Sequence, residues 1–533
     1  MNRDNCLGVM IDCSRNAVMN INTLKKFIVN LEKMGYNSLM LYTEDTYEVD
    51  NQPYFGHLRG RYSKDEIREI DSFAKQHNIE LMPCIQTLAH LEGIIRWDNY
   101  KAISDIDNIV CIGEEKVYEL IDDMFSTIKS CFSSNIVHIG MDEADNMGLG
   151  RYLRKNGYRN RIDIYLEHLN RISEIAEKYG LQLLIWHDMF FHFANNSEYC
   201  KDGKIDPSIK EKIPKNVTLV YWTYYFNEQP PYDESISLIK SVQDTAWFAG
   251  GYWTWTGFAP HIKWSLEATE AAVKSCNKYG IKDMFFTMWG DNGAECSKFS
   301  ALPAMYAGAQ FAKGNFDMKS VKKGFKEMFG IDFDEFSFIE LPLTDNIVKY
   351  NNPDKYMLYN DCFSGVFDCK VRDGQPEKYR ESAERLRKIS TGNEYSYIFE
   401  NIANLCEVLA VKYDLGVRTR KAYTEGKRDE LARLLSDYDG LILKIERFYE
   451  SFEKQWMREN KPFGFEVQDV RIGGLIMRIR HCAKRIGAYL NGETDRIEEL
   501  EAPVLNFYGE NDTTANEAVV FNNWAKTFTV NNV

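Results

Sequence analysis

No stretch of this 533-residue chain has the roughly 18 consecutive apolar residues that an α-helix needs to span a bilayer, so a helical membrane anchor is excluded. The first residues, Met1-Asn2-Arg3-Asp4-Asn5, lead straight into an apolar strand and show no export signal with a small-residue cleavage site. The 12 cysteines are scattered singly, without the paired Cys-x-x-Cys spacing of a zinc site. Cys6, Cys13, Cys84 and Cys111 lie in or near apolar segments and read as reduced, packed thiols. These absences together give a cytoplasmic location as the expectation. No basic run interrupts a net charge of -14, which excludes a nucleic-acid partner, because phosphates repel an acidic surface. No glycine-rich phosphate loop follows the first apolar run, and no Gly-x-Ser-x-Gly nucleophile turn is present.

What is present is ordinary globular material, 44% hydrophobic and 27% charged. Its length exceeds what one core usually supports and suits a barrel with a second domain. The aromatic content of 14% serves either large cores or a surface that stacks on sugar rings, and only position decides between them.

Eight short apolar runs punctuate the first part of the chain, at 7–12, 38–42, 80–85, 136–140, 182–186, 218–222, 245–250 and 284–288. Between them lie amphipathic helical patterns. One covers 21–34 and stops at Gly35, and another opens at Ser63 with Glu66 three residues on, a capping box. The patterns at 162–179 and 264–279 end at Gly180 and Gly280. Strand, helix and glycine repeated eight times predict an α/β chain folded as a (β/α)8 barrel over 1–315. An open doubly wound sheet is the alternative. Beyond this point long helical patterns take over at 377–389, 394–425, 428–453 and 467–489, which predicts an α-helical C-terminal domain over 316–533. The last stretch, 505–533, reads as irregular. A helical region of this kind offers a homodimer surface, which the sequence leaves open.

Barrels of this class carry their active sites at the C-terminal ends of the strands. Reading off those ends gives Asp12 and Arg15, then Glu44 and Asp45, then His90, then Asp142-Glu143. The later strands add Trp186-His187-Asp188, Trp222, Tyr252-Trp253 and Trp289-Gly290-Asp291. Carboxylates, one arginine and several tryptophans on one rim point to acid/base chemistry in an aromatic pocket, as in glycoside hydrolysis. Two acids also suit a helix start, where the dipole favours them, but the pair sits on the rim among the tryptophans. Taken alone, His90 reads better as a satisfied core histidine, and Arg15 reads equally as a structural ion-pair partner. Trp186, Trp222 and Trp289 at matching strand ends read as one pocket lining. His187-Asp188 and His138 invite a metal reading, but no spacing fixes three ligands.

These residues resemble glycoside hydrolase family 20, the β-N-acetylhexosaminidases. The family signature His-Ile-Gly-Gly-Asp-Glu reads here His138-Ile139-Gly140-Met141-Asp142-Glu143. Its Pro-Glu-Ile-Asp-x-Pro-Gly-His reads Pro83-Cys84-Ile85-Gln86-Thr87-Leu88-Ala89-His90. Its arginine matches Arg15, its acidic pair Glu44-Asp45 and its Trp-Gly-Glu Trp289-Gly290-Asp291. The helical C-terminal region and the strand beginning near residue 7 resemble a compact subgroup without the usual preceding α/β domain. The resemblance implies a cofactor-free, retaining exo-hydrolase that releases terminal β-linked GlcNAc or GalNAc through an oxazolinium intermediate. Its substrates would be glycans or glycoconjugate fragments. It implies that Glu143 is the general acid/base, that Asp142 orients the acetamido group and that His90 bridges Glu143 to an acid at 44 or 45. It implies sugar contacts from Arg15, Asp45 and Asp291, and walls from Trp186, Trp222 and Trp289. Tyr252 is the first candidate to hold the acetamido oxygen, with Tyr224 and Trp253 close by. A metal-dependent sugar-processing barrel and a non-catalytic glycan-binding barrel are the alternatives.

Overall fold

Each apolar run becomes a strand because both of its faces are buried, one by the barrel interior and one by a helix layer. The computed structural model describes residues 5–195, 208–343, 352–389, 391–505 and 507. The barrel strands are β1 (Leu7–Asp12), β2 (Ser38–Tyr42), β3 (Glu80–Cys84), β4 (Ile136–His138), β5 (Gln182–Trp186), β6 (Val217–Trp222), β7 (Trp247–Gly251) and β8 (Met284–Met288). They close into one parallel barrel in which β8 pairs back onto β1, with Leu7 opposite Met284.

Side-chain alternation decides what fills the centre. Met40 and Tyr42, Met82 and Cys84, Leu184 and Trp186, Val220 and Trp222 form one cluster inside the barrel. The intervening Leu39, Leu41, Leu81, Leu183, Ile185, Leu219 and Tyr221 belong to the larger core under the helices. The last inward residue of β2, β5 and β6 is therefore an aromatic, and the barrel ends in an aromatic floor.

The helices begin and stop where the sequence signals them. Asn20 caps Ile21–Met34 by accepting from Thr23 N, and Gly35 ends it at φ 94°. Ser63 and Glu66 form both halves of the capping box of Lys64–Gln76. Several expected ends shift, among them the seventh strand, which runs 247–251 and not 245–250, and two expectations change in kind. The strand expected through Gly140 stops at His138, because Gly140 turns to φ 70° and leaves the ladder. The helix expected over 394–425 is two, Ser396–Lys412 and Leu415–Thr424. They bend at Tyr413, whose hydroxyl donates to Lys370 O at 3.1 Å. Hydrophobic periodicity runs through such a bend unchanged. The stretch expected to be irregular, 505–533, lies outside the described residues except for Leu505 and Phe507.

The long helices Arg428–Glu459 and Glu466–Leu490 pack with Ser396–Lys412 into a helical region seated against the rim. It grips the loops after β7 and β8. Asp354 accepts from Phe258 N and Ala259 N at 2.7 and 3.0 Å. Buried Glu295 pairs with Lys355 at 2.8 Å and Arg471 at 3.1 Å, and Gln468 donates to Gly293 O at 3.1 Å. Among the described residues no helix is long and apolar enough to cross a membrane.

Candidate active site

A pocket of about 330 Å³ opens above the aromatic floor at the C-terminal ends of the strands. Arg15, His90, Asp142, Glu143, Trp186, Trp222, Trp289 and Asp291 all line it, as their positions after the strands predict. It also takes Tyr224, the second candidate for the acetamido oxygen, and Trp255, together with Tyr42, Tyr225 and Asn292, which the sequence reading passes over.

The turn after β4 separates the two adjacent acids. Gly140 and Met141 have φ 70° and 67°, and Glu143 has 49°. Glycine is required at 140, since a Cβ there would run into the Gln86 amide. Met141 adopts its left-handed conformation at a cost of about 1–2 kcal/mol. The turn is held by side chains in place of a ladder: Gln86 Oε1 accepts from Met141 N at 3.2 Å and Asp188 Oδ2 from Glu143 N at 3.0 Å. As a result Asp142 points inward with a side chain 12% exposed, while Glu143 reaches the rim at 53%.

Charge in the pocket is arranged unequally. Burial alone would raise Asp142, but His90 Nε2 at 3.4 Å and Gln86 Nε2 donating at 2.8 Å hold it below the usual carboxylate range. Burial alone would lower His90, yet Asp142 outweighs it and holds the ring up at about 9. Asp142 is thus an anion and His90 a cation at neutral pH, and the same Nε2 lies 3.4 Å from Glu143 Oε2. Gln86 stands where the family pattern has an acid, and its amide can donate to a charged Asp142.

Asp188 is pushed well above the carboxylate range by burial and by Asp142, and its Oδ1 accepts from Trp222 Nε1 at 3.2 Å. Glu44 is pushed up to about 7 by burial, against the pull of Arg15 at 3.0 Å. Arg15 lies over the rings of Tyr42 and Trp289 at 5.2 and 5.6 Å, so its guanidinium is fixed by two acids, Glu44 at 3.0 Å and Asp12 at 3.7 Å, and two aromatic faces. Asp12 braces the opposite side by accepting from Ser14 N and Gly290 N at 2.8 and 2.9 Å.

The aromatic wall is tied together by polar tips. Tyr224 stacks on Trp222 at 5.4 Å, and its hydroxyl accepts from Trp289 Nε1 at 3.0 Å. Trp289 meets Tyr42 edge-on at 4.7 Å. Trp186 packs on His138 at 4.1 Å, which puts that histidine in the barrel core; burial lowers its pKa to about 3.

Three sequence candidates lie elsewhere. Asp45 faces Arg59 at 3.4 Å, away from the pocket, and Glu44 takes the partnership with Arg15. Tyr252 follows β7 with outward parity, packs on Phe286 at 4.8 Å and shares a 2.7 Å hydrogen bond with Tyr36 beneath the helix layer. Trp253 sits one layer back, stacked behind pocket-lining Trp255 at 4.6 Å. His187 and Asp188, the pair that invited a metal reading, are engaged by Trp222 N at 3.4 Å and Trp222 Nε1. The signal for Trp255 and Tyr224 was an aromatic run beyond the strand end, which parity alone does not resolve.

The chain is similar in sequence to known proteins. The glycosyl hydrolase family 20 catalytic-domain model matches residues 7–284, and the glycoside hydrolase 20C C-terminal domain matches 333–520. Hexosaminidase D of Bos taurus is 24% identical over 205 residues, 36% of this chain and 55% of that protein. Hexosaminidase D of Homo sapiens is 23% identical over 224 residues, covering 39% and 43%. The chain thus spans about half the length of these curated relatives. A solved β-N-acetylhexosaminidase from Bacteroides fragilis superposes with a TM-score of 0.47 at 20% identity, covering 61% of this chain and 70% of that one. With the catalytic-domain match extending over more than half of its length, this chain belongs to glycosyl hydrolase family 20.

Proposed function

We propose that the protein is a retaining exo-β-N-acetylhexosaminidase that releases terminal GlcNAc or GalNAc with help from the substrate's own acetamido group. The observation that carries this reading is the unequal pair: a buried, ionised Asp142 pinned by His90 and Gln86, next to a half-exposed Glu143. A neutral acid beside a charged one is what this chemistry needs. In the proposed course the acetamido oxygen attacks the anomeric carbon while Glu143 gives its proton to the leaving oxygen. The oxazolinium ion that forms is cationic, and Asp142 accepts from its N–H and offsets that charge. Glu143 then takes a proton from water as water opens the ring on the same face, which restores both groups. Tyr224 takes the role first considered for Tyr252. It lines the pocket, and because its oxygen accepts from Trp289 its own proton is available to the acetamido oxygen. Arg15 and Asp291 bind ring hydroxyls, and a pocket of about 330 Å³ suits one terminal sugar.

The test is turnover of 4-nitrophenyl β-glycosides of GlcNAc, GalNAc, glucose and galactose, with and without a chelator. Release from the two acetamido sugars only, indifferent to chelator, supports the reading. Comparable release from glucose or galactose contradicts it, because those sugars lack the internal nucleophile.

A further inference from the structure

Gln86 is fully buried and does not line the pocket, yet both polar atoms of its side chain are engaged by the loops that build it. Its neighbours fix which way the amide faces. Met141 N can only donate, so the atom 3.2 Å from it is the carbonyl oxygen. The NH2 group therefore faces the other way and donates to Asp142 Oδ1 at 2.8 Å and to the Tyr42 hydroxyl at 2.9 Å. Tyr42, having accepted, donates its own proton to Glu44 Oε1 at 2.9 Å, the atom that Arg15 reaches at 3.0 Å. One directed network thus braces Asp142 at one end and Arg15 at the other.

The residue type matters as much as the contacts. An acid stands at this position in the family pattern. A carboxyl group could donate to Asp142 only while it kept its proton, and never to Asp142 and Tyr42 at once. The amide donates to both and does not titrate. Asp142 Oδ2 faces cationic His90 at 3.4 Å, so each oxygen of the anion has its own partner. The other groups around Asp142 do not replace Gln86. Burial pushes Tyr42, Cys84, Tyr165 and Tyr224 upward and His138 down to about 3, so all five stay neutral. The remaining carboxyls are Asp188, pushed well up by burial, Glu143 at the rim, and Glu44 beyond Tyr42, pushed up to about 7 by burial. The turn itself has further support on both sides of Gln86. Ile85 N donates to His138 O at 2.8 Å, and Thr87 Oγ1 donates to Ile139 O at 2.9 Å.

We propose that Gln86 is a positioning residue for the reaction: its amide gives Asp142 a hydrogen bond that no change of pH removes and holds that carboxylate in register with Arg15. The proposal rests on the hexosaminidase reading above. The test compares wild type, Gln86→Glu and Gln86→Met, measuring kcat/KM on 4-nitrophenyl β-GlcNAc and melting temperature from about pH 5 to about pH 8. Glutamate keeps the shape and the acceptor for Met141 N but donates to Asp142 only when protonated. Methionine keeps the length and donates nothing. A carboxyl buried against an anion ionises above its usual range, and His90 keeps the shared proton on residue 86 and off Asp142. Gln86→Glu should therefore stay within about fivefold of wild type at the acid end and fall at least about tenfold further behind at the alkaline end. Gln86→Met should be about 10²-fold slower throughout. A ratio of wild type to Gln86→Glu that does not change with pH makes the role merely structural and overturns the proposal, as does near-normal turnover by Gln86→Met. Melting gives a readout that needs no turnover. A carboxyl whose pKa is raised by folding stabilises below its unfolded value and loses that contribution as pH rises, so Gln86→Glu should melt progressively further below wild type toward the alkaline end. If wild type releases nothing at any pH, the hexosaminidase reading is the one that fails. A melting difference constant with pH overturns the hold of Gln86 on Asp142 in either case.

Discussion

The pocket rim and the seam between barrel and helical region both bury charge, but they treat it in opposite ways. On the rim acids outnumber cations, and Glu44, His90, Met141, Glu143 and Asn292 hold positive φ angles of 44° to 67°. Asn16, Asn51, Leu58, Asn78 and Asp107 in other barrel loops also do so, but C-terminal to Ala294, among the described residues, only glycines do. Along the seam most buried acids meet cations or hydroxyls, and Asp354 accepts from two backbone amides: Glu295 has Lys355 and Arg471, Asp361 has Arg478 at 2.6 Å, and Glu459 accepts from Ser297 and Tyr397 at 2.6 and 2.7 Å. The rim thus stores strain and unbalanced charge, the mark of a site selected for chemistry. The seam pairs most of its buried charge and holds the loops after β7 and β8. Activity and stability should therefore separate cleanly between the two regions.

The largest separation is expected at Glu143→Gln. Its side chain is half exposed, so the melting temperature should stay near wild type while kcat on a phenyl glycoside falls by about 10³-fold or more. For an activated dinitrophenyl glycoside, whose departure needs no acid, kcat/KM should be largely spared, while kcat stays low because the later water step still lacks its base. Asp142→Asn should cost about 10²-fold on both leaving groups, because it removes charge stabilisation and leaves proton donation intact. The opposite behaviour is expected in the seam. Lys355→Met leaves Glu295 short of a partner and should lower stability to chemical denaturation by about 3 kcal/mol, with kcat on the aryl glycoside changed only a few-fold.

The smallest effect is one of pH. His90 is held at about 9 against an unfolded value of 6.5, so its bound proton favours the folded state. That contribution is fully present below 6.5 and is lost as pH rises through about 9. The melting-temperature difference between wild type and His90→Gln should shrink over that interval; a constant difference would refute the charged His90–Asp142 pair.

Much of this was legible in the sequence, for identifiable reasons. Buried parallel strands are apolar on both faces, so β1, β2, β5 and β8 stand out with their ends correct to the residue. Caps such as Ser63 with Glu66 are local and announce themselves. Whatever depended on parity or on distant chain was harder to see. Tyr252 points out of the barrel because β7 runs on to Gly251, with Trp247 and Ala249 inward. The inward pair fixes that parity once the strand is placed correctly. Gln86 reads as a degraded motif residue until its two contacts with the 141–142 turn are in view. The seam was invisible, since Glu295 and Lys355 are 60 positions apart in sequence and neither carries a local signal.

The central claim is that the substrate supplies the nucleophile. Its most direct test is a series of aryl β-glycosides whose 2-acetamido methyl carries zero, one, two or three fluorines. Fluorine weakens the carbonyl oxygen as a nucleophile and leaves the size of the group nearly unchanged. The account predicts that kcat/KM falls steeply with each fluorine added. A rate independent of fluorination would place the attacking atom on the protein or on water and would contradict the account.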